Sequence, residues 1–289
     1  MRGIVWFRTD LRIDDNPALR NALDNCEEVI GIYIFSQLQW KAHNESSVKL
    51  EFLIKNLIHL EKSLSKLNIP LITIKTESFD SLPKDLSSFV VSNKVGQIFW
   101  NNEFGVNESK RDLLSCKMLE KENVKTSRFD DQVIYEPGYL KTGQGKPFSV
   151  FTPFKRRWIE NFEMDFLDIN YKHSIKKPIN IKSDLSKIEF VRSHVNMDLW
   201  PAGEGAAQER LSNFLSIKAE SYSESRNSPI LDGTSRISPY FALGILSPRR
   251  CILEGLKLNN YEFTSGNKGI CKWIDEIVWR EFYKNIMFC

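Results

Sequence analysis

Apolar positions change their spacing as the chain proceeds. Short runs rich in β-branched and aromatic residues occur at Gly3–Phe7, Val29–Phe35, Leu71–Lys75, Gln97–Trp100 and Val124–Phe129. Between them, apolar residues recur every three or four positions at Pro17–Asp24, Ser47–Leu67, Leu82–Asn93 and Asn107–Glu122. The first pattern predicts strands and the second helices. Their alternation predicts a doubly wound α/β domain over residues 1–130, a mostly parallel sheet with helices on both faces. Ligands of such sheets sit beyond the carboxyl ends of the strands. From Asp165 to Pro201 the periodicity dissolves into polar residues and short apolar runs around Pro178. This predicts a surface connector, spanning 131–202. From Gly203 onward helical spacing returns, at Ala206–Phe214, Ser238–Leu243, Ser247–Leu256 and Ile270–Phe288, so 203–289 is expected to be all-helical.

Composition narrows the class without changing it. The 289 residues allow one large domain or two ordinary ones, and 42% hydrophobic residues suffice for packed cores. A net charge of +3, from 40 basic against 37 acidic residues, permits an anionic partner without demanding one. The five cysteines, Cys26, Cys116, Cys251, Cys271 and Cys289, are odd in number and widely spaced, with no Cys-x-x-Cys. Neither a metal site nor a disulfide framework is expected. Met1–Phe7 enters a strand-like run directly, without a long apolar signal region, and no stretch is apolar enough to span a bilayer. The expected location is the cytoplasm, with no membrane partner.

Candidate chemistry is concentrated late in the chain. The first strand is followed by Arg8-Thr9-Asp10-Leu11-Arg12 rather than Gly-x-Gly-x-x-Gly, which disfavours a dinucleotide on the first turn. Gly143-Gln144-Gly145-Lys146 lacks P-loop spacing and reads as a turn. Ser238-Pro239 and Ser247-Pro248 each place a capping serine before a proline at the first helical position. With Asp232-Gly233-Thr234-Ser235-Arg236-Ile237 before it, the first suits a phosphate, although an ordinary capped loop has the same pattern. On a helix over 273–283, Trp273, Glu276, Arg280 and Tyr283 share a face and Trp279 lies beside them. Flat aromatics mixed with charge suit stacking on a ring while bonding its edge; a partly buried amphipathic helix is the plainer alternative.

An ordered set of motifs spans the chain: Trp6-Phe7-Arg8-Thr9-Asp10-Leu11-Arg12 with Asp15-Asn16, Gln39-Trp40, His43-Asn44, Val106-Asn107-Glu108, Val150-Phe151-Thr152-Pro153-Phe154, Gly233–Ser238, Leu246-Ser247-Pro248-Arg249 and Trp279-Arg280-Glu281-Phe282-Tyr283. The set resembles the photolyase/cryptochrome family, most closely the class I cyclobutane-pyrimidine-dimer photolyases of bacteria. The resemblance implies an α/β antenna domain, a connector and a helical domain holding FAD. It implies blue-light-driven splitting of pyrimidine dimers in DNA by electron transfer from reduced FAD, with the dimer flipped out of the duplex. A monomer without an obligate protein partner is expected.

Site residues follow from the same resemblance. Tyr222, Thr234, Ser235, Arg236, Ile237, Ser238, Trp273 and Arg280 correspond to FAD-binding positions. Glu276 corresponds to the glutamate bonding the dimer's base edge and Trp279 to the tryptophan stacking on it, the two positions taken as catalytic. Arg226, with Glu276, Trp279, Arg280 and Tyr283, is expected at the DNA. His43, Asn44, Asn107 and Glu108 correspond to the site of a 5,10-methenyltetrahydrofolate antenna, where a carboxylate can accept two parallel pterin hydrogen bonds. Helix capping by Asn107 and a first-turn dipole contact by Glu108 are the plainer alternatives. Lys141, Lys146, Lys155, Arg156 and Arg157 form a basic stretch suited to phosphate attraction or simply to a solvated surface.

Against the family pattern the chain stops at Cys289, partway through the helical domain. The portion expected to follow carries the asparagine facing the flavin N5, a tryptophan chain and further DNA contacts. A fragment that binds FAD weakly and does not repair DNA alone is therefore expected. A cryptochrome photoreceptor without repair activity is the alternative, and Glu276 with Trp279 favours repair. A stand-alone folate- or nucleotide-binding α/β domain is a third reading, opposed by the Gly233–Ser238 and Trp273–Tyr283 motifs.

Overall fold

The structure, a computed structural model, describes residues 1–288. It divides into two compact units, each taken by itself. The sheet unit comprises Met1–Asp131, Tyr171–Glu204 and Leu243–Ile245. Five parallel strands, β1 (Arg2–Phe7), β2 (Glu28–Phe35), β3 (Leu71–Lys75), β4 (Gln97–Asn101) and β5 (Lys125–Phe129), lie in the order β3-β2-β1-β4-β5. Register pairs Val5 with both Gly31 and Phe99. The central strands are apolar almost without alternation because helices cover both faces, and every residue of β4 is buried.

The connecting helices are α1 (Pro17–Asn25), α2 (Gln37–Ala42), α3 (Ser47–Ser65), α4 (Leu82–Ser92) and α5 (Val106–Lys121). Asn16 caps α1, accepting from the Leu19 N–H at 3.1 Å ahead of Pro17. The doubly wound sheet is thus the one the alternation predicts. Its β3 edge is covered by the segment 171–204: Asp184 donates to the Leu71 carbonyl at 2.9 Å and accepts from the Thr73 N–H at 2.8 Å. The return at 243–245 comes so close that a Cβ on Gly244 (φ +60°) would meet the Thr9 carbonyl oxygen at 1.9 Å.

The helical unit comprises Gln132–Asn170, Gly205–Ala242 and the chain from Leu246 onward. Its helices are α6 (Phe151–Glu160), α7 (Glu204–Ile217), α8 (Tyr222–Ser225), α9 (Ser238–Ala242), α10 (Pro248–Leu258) and α11 (Lys268–Phe288). Helix α11 buries Ile270, Trp273, Ile274, Ile277, Val278, Glu281, Phe282 and Asn285, a stripe at helical spacing. Against it pack α6, α8 and α10. At Gly269 a Cβ would meet the Ala219 and Glu220 carbonyl oxygens at 2.3 Å, so only glycine lets α11 come this near to the chain entering α8. No described helix is long and apolar enough to cross a membrane.

The C-terminal half of α11 also holds the segment 132–138, which has no regular structure to satisfy its backbone. Arg280 donates to the Gln132 carbonyl at 2.5 Å and Lys284 to the Gln132 side chain at 2.5 Å. The Glu281 carboxyl accepts from the N–H groups of Ile134 (2.8 Å) and Tyr135 (3.0 Å) and from Trp158 Nε1 (2.9 Å). Asn285 Oδ1 accepts from the Gly138 N–H at 2.8 Å. Four side chains on successive turns thus replace the strand or helix that this segment lacks.

Candidate functional site

Three pieces of the helical unit wall a cavity of about 330 Å³. Helix α11 supplies Trp273, Glu276, Ile277 and Arg280, and α8 supplies Tyr222. The turn before α9 and α9 itself supply Thr234, Ser235, Arg236, Ile237, Ser238 and Phe241. All eight positions expected at FAD therefore line one cavity, together with Glu276. Phe241 and Ile277 were not anticipated. They lie three residues beyond Ser238 and four beyond Trp273, a helical spacing that would have pointed to them.

The wall is chemically divided. Tyr222 and Trp273 are buried, each packed on Phe214 at ring distances of 5.7 and 5.3 Å, so the aromatic side is rigid. The turn before α9 and its first residue add three hydroxyl-bearing residues, Thr234, Ser235 and Ser238, and Arg236 to the lining. Arg236 adopts φ +50°, a left-handed conformation that curls the backbone around the cavity, and its exposed side chain pairs with Asp232 at 2.9 Å. Arg280 lies over the Phe241 ring at 5.2 Å. Helix α9 begins at Ser238 itself and is five residues long. Attraction for an anion therefore rests on hydroxyls and guanidiniums, not on the capped helix start expected there. At Ser247 the expected cap is present, accepting from the Arg250 N–H at 3.0 Å. Hydroxyls, guanidiniums and aromatic surface suit a flavin dinucleotide part by part. The volume is near the low end of the roughly 300–1,000 Å³ typical of ligand pockets, room for a portion of it.

The residues expected at DNA are held by partners within the same unit. Arg226 donates to Glu276 and lies over the Tyr222 ring at 5.4 Å, and Lys272 stands 3.7 Å from the Glu276 carboxylate. Trp279 and Tyr283 do not line the cavity. They belong to the flank of α11 that faces Phe151, whose ring stacks on Trp279 with centroids 3.7 Å and planes 11° apart. In the basic stretch, Lys155 is bound to Asp275 at 2.5 Å and Arg157 to Glu160 at 3.4 Å, while Lys141, Lys146 and Arg156 are exposed.

The antenna candidates lie in the sheet unit. His43 ends α2, just after β2, with its Nε2 2.6 Å from Gln39 Nε2, and Asn44 follows at φ +51°. Asn107 and Glu108 open α5, just after β4. Both pairs follow the carboxyl ends of strands flanking β1, where the strand order reverses. Gly105, not Asn107, is the N-cap of α5, while Glu108 does occupy the first turn. The turn after β1 is filled by the chain's own charges. Arg8 donates to both Asp112 oxygens at 2.7 Å, and Arg111 bridges Glu103 (2.9 Å) and Asp112 (2.7 Å). Burial pushes the Glu103 carboxyl up, but Arg8 and Arg111 outweigh it and hold it at about 2. Arg8 to Arg12 thus knit this turn together instead of cradling a diphosphate.

Comparison with known proteins supplies the context for this geometry. The DNA photolyase family model matches residues 3–175. The deoxyribodipyrimidine photo-lyase of Buchnera aphidicola (subsp. Acyrthosiphon pisum) is 34% identical over 293 residues, covering 99% of this chain and 59% of the relative. That of Escherichia coli is 32% identical over 286 residues, covering 98% and 60%. A class III photolyase structure from Agrobacterium tumefaciens superposes with a TM-score of 0.83 at 26% identity, covering 99% of this chain and 59% of that one. A Synechocystis cryptochrome structure, at 21% identity and a TM-score of 0.81 over 100% and 62% of the two chains, shares the fold. The chain spans about three-fifths of the length of the curated relatives it matches.

Proposed function

The chain belongs to the DNA photolyase family, and from that premise we propose that it forms the flavin-facing wall and the lesion-facing helix of a light-driven enzyme repairing cyclobutane pyrimidine dimers in DNA. The observation that carries this reading is the convergence of Tyr222, Thr234–Ser238, Trp273, Glu276 and Arg280 on one cavity. Bound and reduced, FAD supplies the photochemical electron. The chain supplies the rest: Arg236 and the three hydroxyls neutralise and orient the diphosphate, and Trp273 and Tyr222 limit its position. Glu276, at the lip of the same cavity, is placed to bond the edge of a flipped base, and Trp279 one turn on offers it a stacking surface. Arg226 and Tyr283 stand at the DNA side. In the sheet unit, His43, Asn44, Asn107 and Glu108 are proposed to hold a methenyltetrahydrofolate antenna. A cytoplasmic monomer acting on dimer-bearing DNA completes the proposal.

The test is a titration of the purified chain with FAD and, separately, with riboflavin, which lacks the diphosphate. Arg236→Ala is expected to weaken FAD binding about tenfold, since a charge-assisted hydrogen bond contributes about 1.5 kcal/mol or more, and to leave riboflavin binding unchanged. FAD affinity indifferent to Arg236→Ala and to Trp273→Ala would sink the reading. In parallel, an oligonucleotide bearing a thymine dimer should bind more tightly than its undamaged counterpart, with the preference lost in Trp279→Ala. A photoreceptor without repair function would show no such preference.

A further inference from the structure

The Phe151–Trp279 pair differs in kind from the contacts around it. Aromatic side chains usually meet offset or edge-on, with centroids about 4.5–7 Å apart. Neighbouring pairs obey this: Phe151–Phe282 at 5.8 Å and 69°, Trp279–Phe282 at 5.6 Å and 77°, and Phe148–Phe154 at 6.0 Å and 79°. Phe151 instead lies on Trp279 at 3.7 Å and 11°, nearly full overlap of two parallel faces. That is the geometry of one base on another. Tyr283 stacks on Trp279 less closely, at 5.6 Å and 28°.

Phe151 is also placed to leave. It is the first residue of α6, and Val150 before it is 59% exposed. The hold of α6 on its unit comes from Phe154 and Trp158, which are 1% and 0% exposed, so Phe151 can swing away while α6 stays docked.

We propose that Phe151 is a stand-in for a base: it covers the stacking face of Trp279 when no unstacked base is present, and any base that stacks there must displace it. This inference rests on the reading of Trp279 as the lesion-stacking residue. A base that is well stacked in its own strand would have to break that stack and displace Phe151 as well. A dimer, already poorly stacked, needs only the second. Displacing Phe151 costs both alike, so it lowers affinity for every base that enters and leaves the difference between them to the DNA's own stacking.

Phe151→Leu keeps apolar bulk at the helix start but removes the ring; Phe151→Tyr keeps the ring. Affinities of the purified chain for an undamaged single-stranded thymidine oligomer and for the same oligomer bearing one dimer give the readout. Phe151→Leu is expected to tighten binding of both oligomers about fivefold, on the scale of a base–aromatic stack of about 1 kcal/mol, while Phe151→Tyr keeps the wild-type affinities. Should Phe151→Leu fail to fold, Phe151→Met makes the same comparison. Affinities unchanged in Phe151→Leu, or weakened for either oligomer, overturn the proposal. Trp279→Ala separates the two readings. If it abolishes dimer preference while Phe151→Leu changes nothing, only the stand-in role fails; if it has no effect, the lesion-site reading itself fails.

Discussion

Glu281 is the residue where opposing forces are most finely matched. Burial pushes its carboxyl up, the N–H groups of Ile134, Tyr135 and Trp158 pull it down, and the outcome is a pKa raised to about 7 from an ordinary 4.5. A folded-state value above the unfolded one means that the native protein binds the extra proton between the two. The stabilisation from this group is therefore complete below about 4.5 and is lost as pH rises through about 7. Denaturant unfolding across that window should show wild-type stability falling relative to Glu281→Gln, the difference flattening above neutrality. Glu281→Ala should cost about 3 kcal/mol at any pH in the window, because three buried donors lose their acceptor at about 1 kcal/mol or more each. A pH-independent difference between wild type and Glu281→Gln would contradict the assignment.

At the scale of elements, α11 is the part on which the site depends. Gly269→Ala drives a methyl group into two carbonyl oxygens that have no room to retreat. It should destabilise the chain by about 1–3 kcal/mol and, by easing α11 away from Tyr222, weaken flavin binding; a loss of stability without any loss of FAD affinity would uncouple the two. Elements of this kind differ in how far the sequence reveals them. The inner strands were legible because burial on both faces makes them nearly continuous apolar runs, as at Ile98–Trp100. Helix α6 was not, since Pro153 interrupts Phe151–Phe154; in a first turn its missing N–H costs nothing. Within α11 the charged and aromatic face announced Glu276, Trp279 and Arg280. Glu281 escaped notice because its partners, at 134, 135 and 158, are remote along the chain. Phe241 and Ile277 look like any core residue until the cavity they line is known. Phe151 stood inside a quoted motif, yet its stacking on Trp279 is a tertiary fact that no local pattern encodes.

Over the whole molecule a net charge of +3 is too small to attract DNA by itself, so on the proposed reading local cations carry that affinity. Arg226 donates to Glu276 in this structure. Arg226→Ala is expected to weaken binding to damaged and undamaged DNA alike and to lower the slope of log affinity against log salt by about one; an effect confined to dimer-bearing DNA would instead assign Arg226 to the lesion. The grip of α11 on residues 132–138 bears on how the chain comes off the ribosome. Ile134 emerges 147 residues ahead of the carboxylate that satisfies its N–H. At about 5–20 residues per second that is an interval of roughly seven to thirty seconds. Throughout it, the segment that follows the finished sheet has no acceptors waiting for it and carries Tyr135, Trp158 and Phe162 uncovered. The five strands are all made before residue 132 appears, but the contacts of residues 132–138 wait for α11.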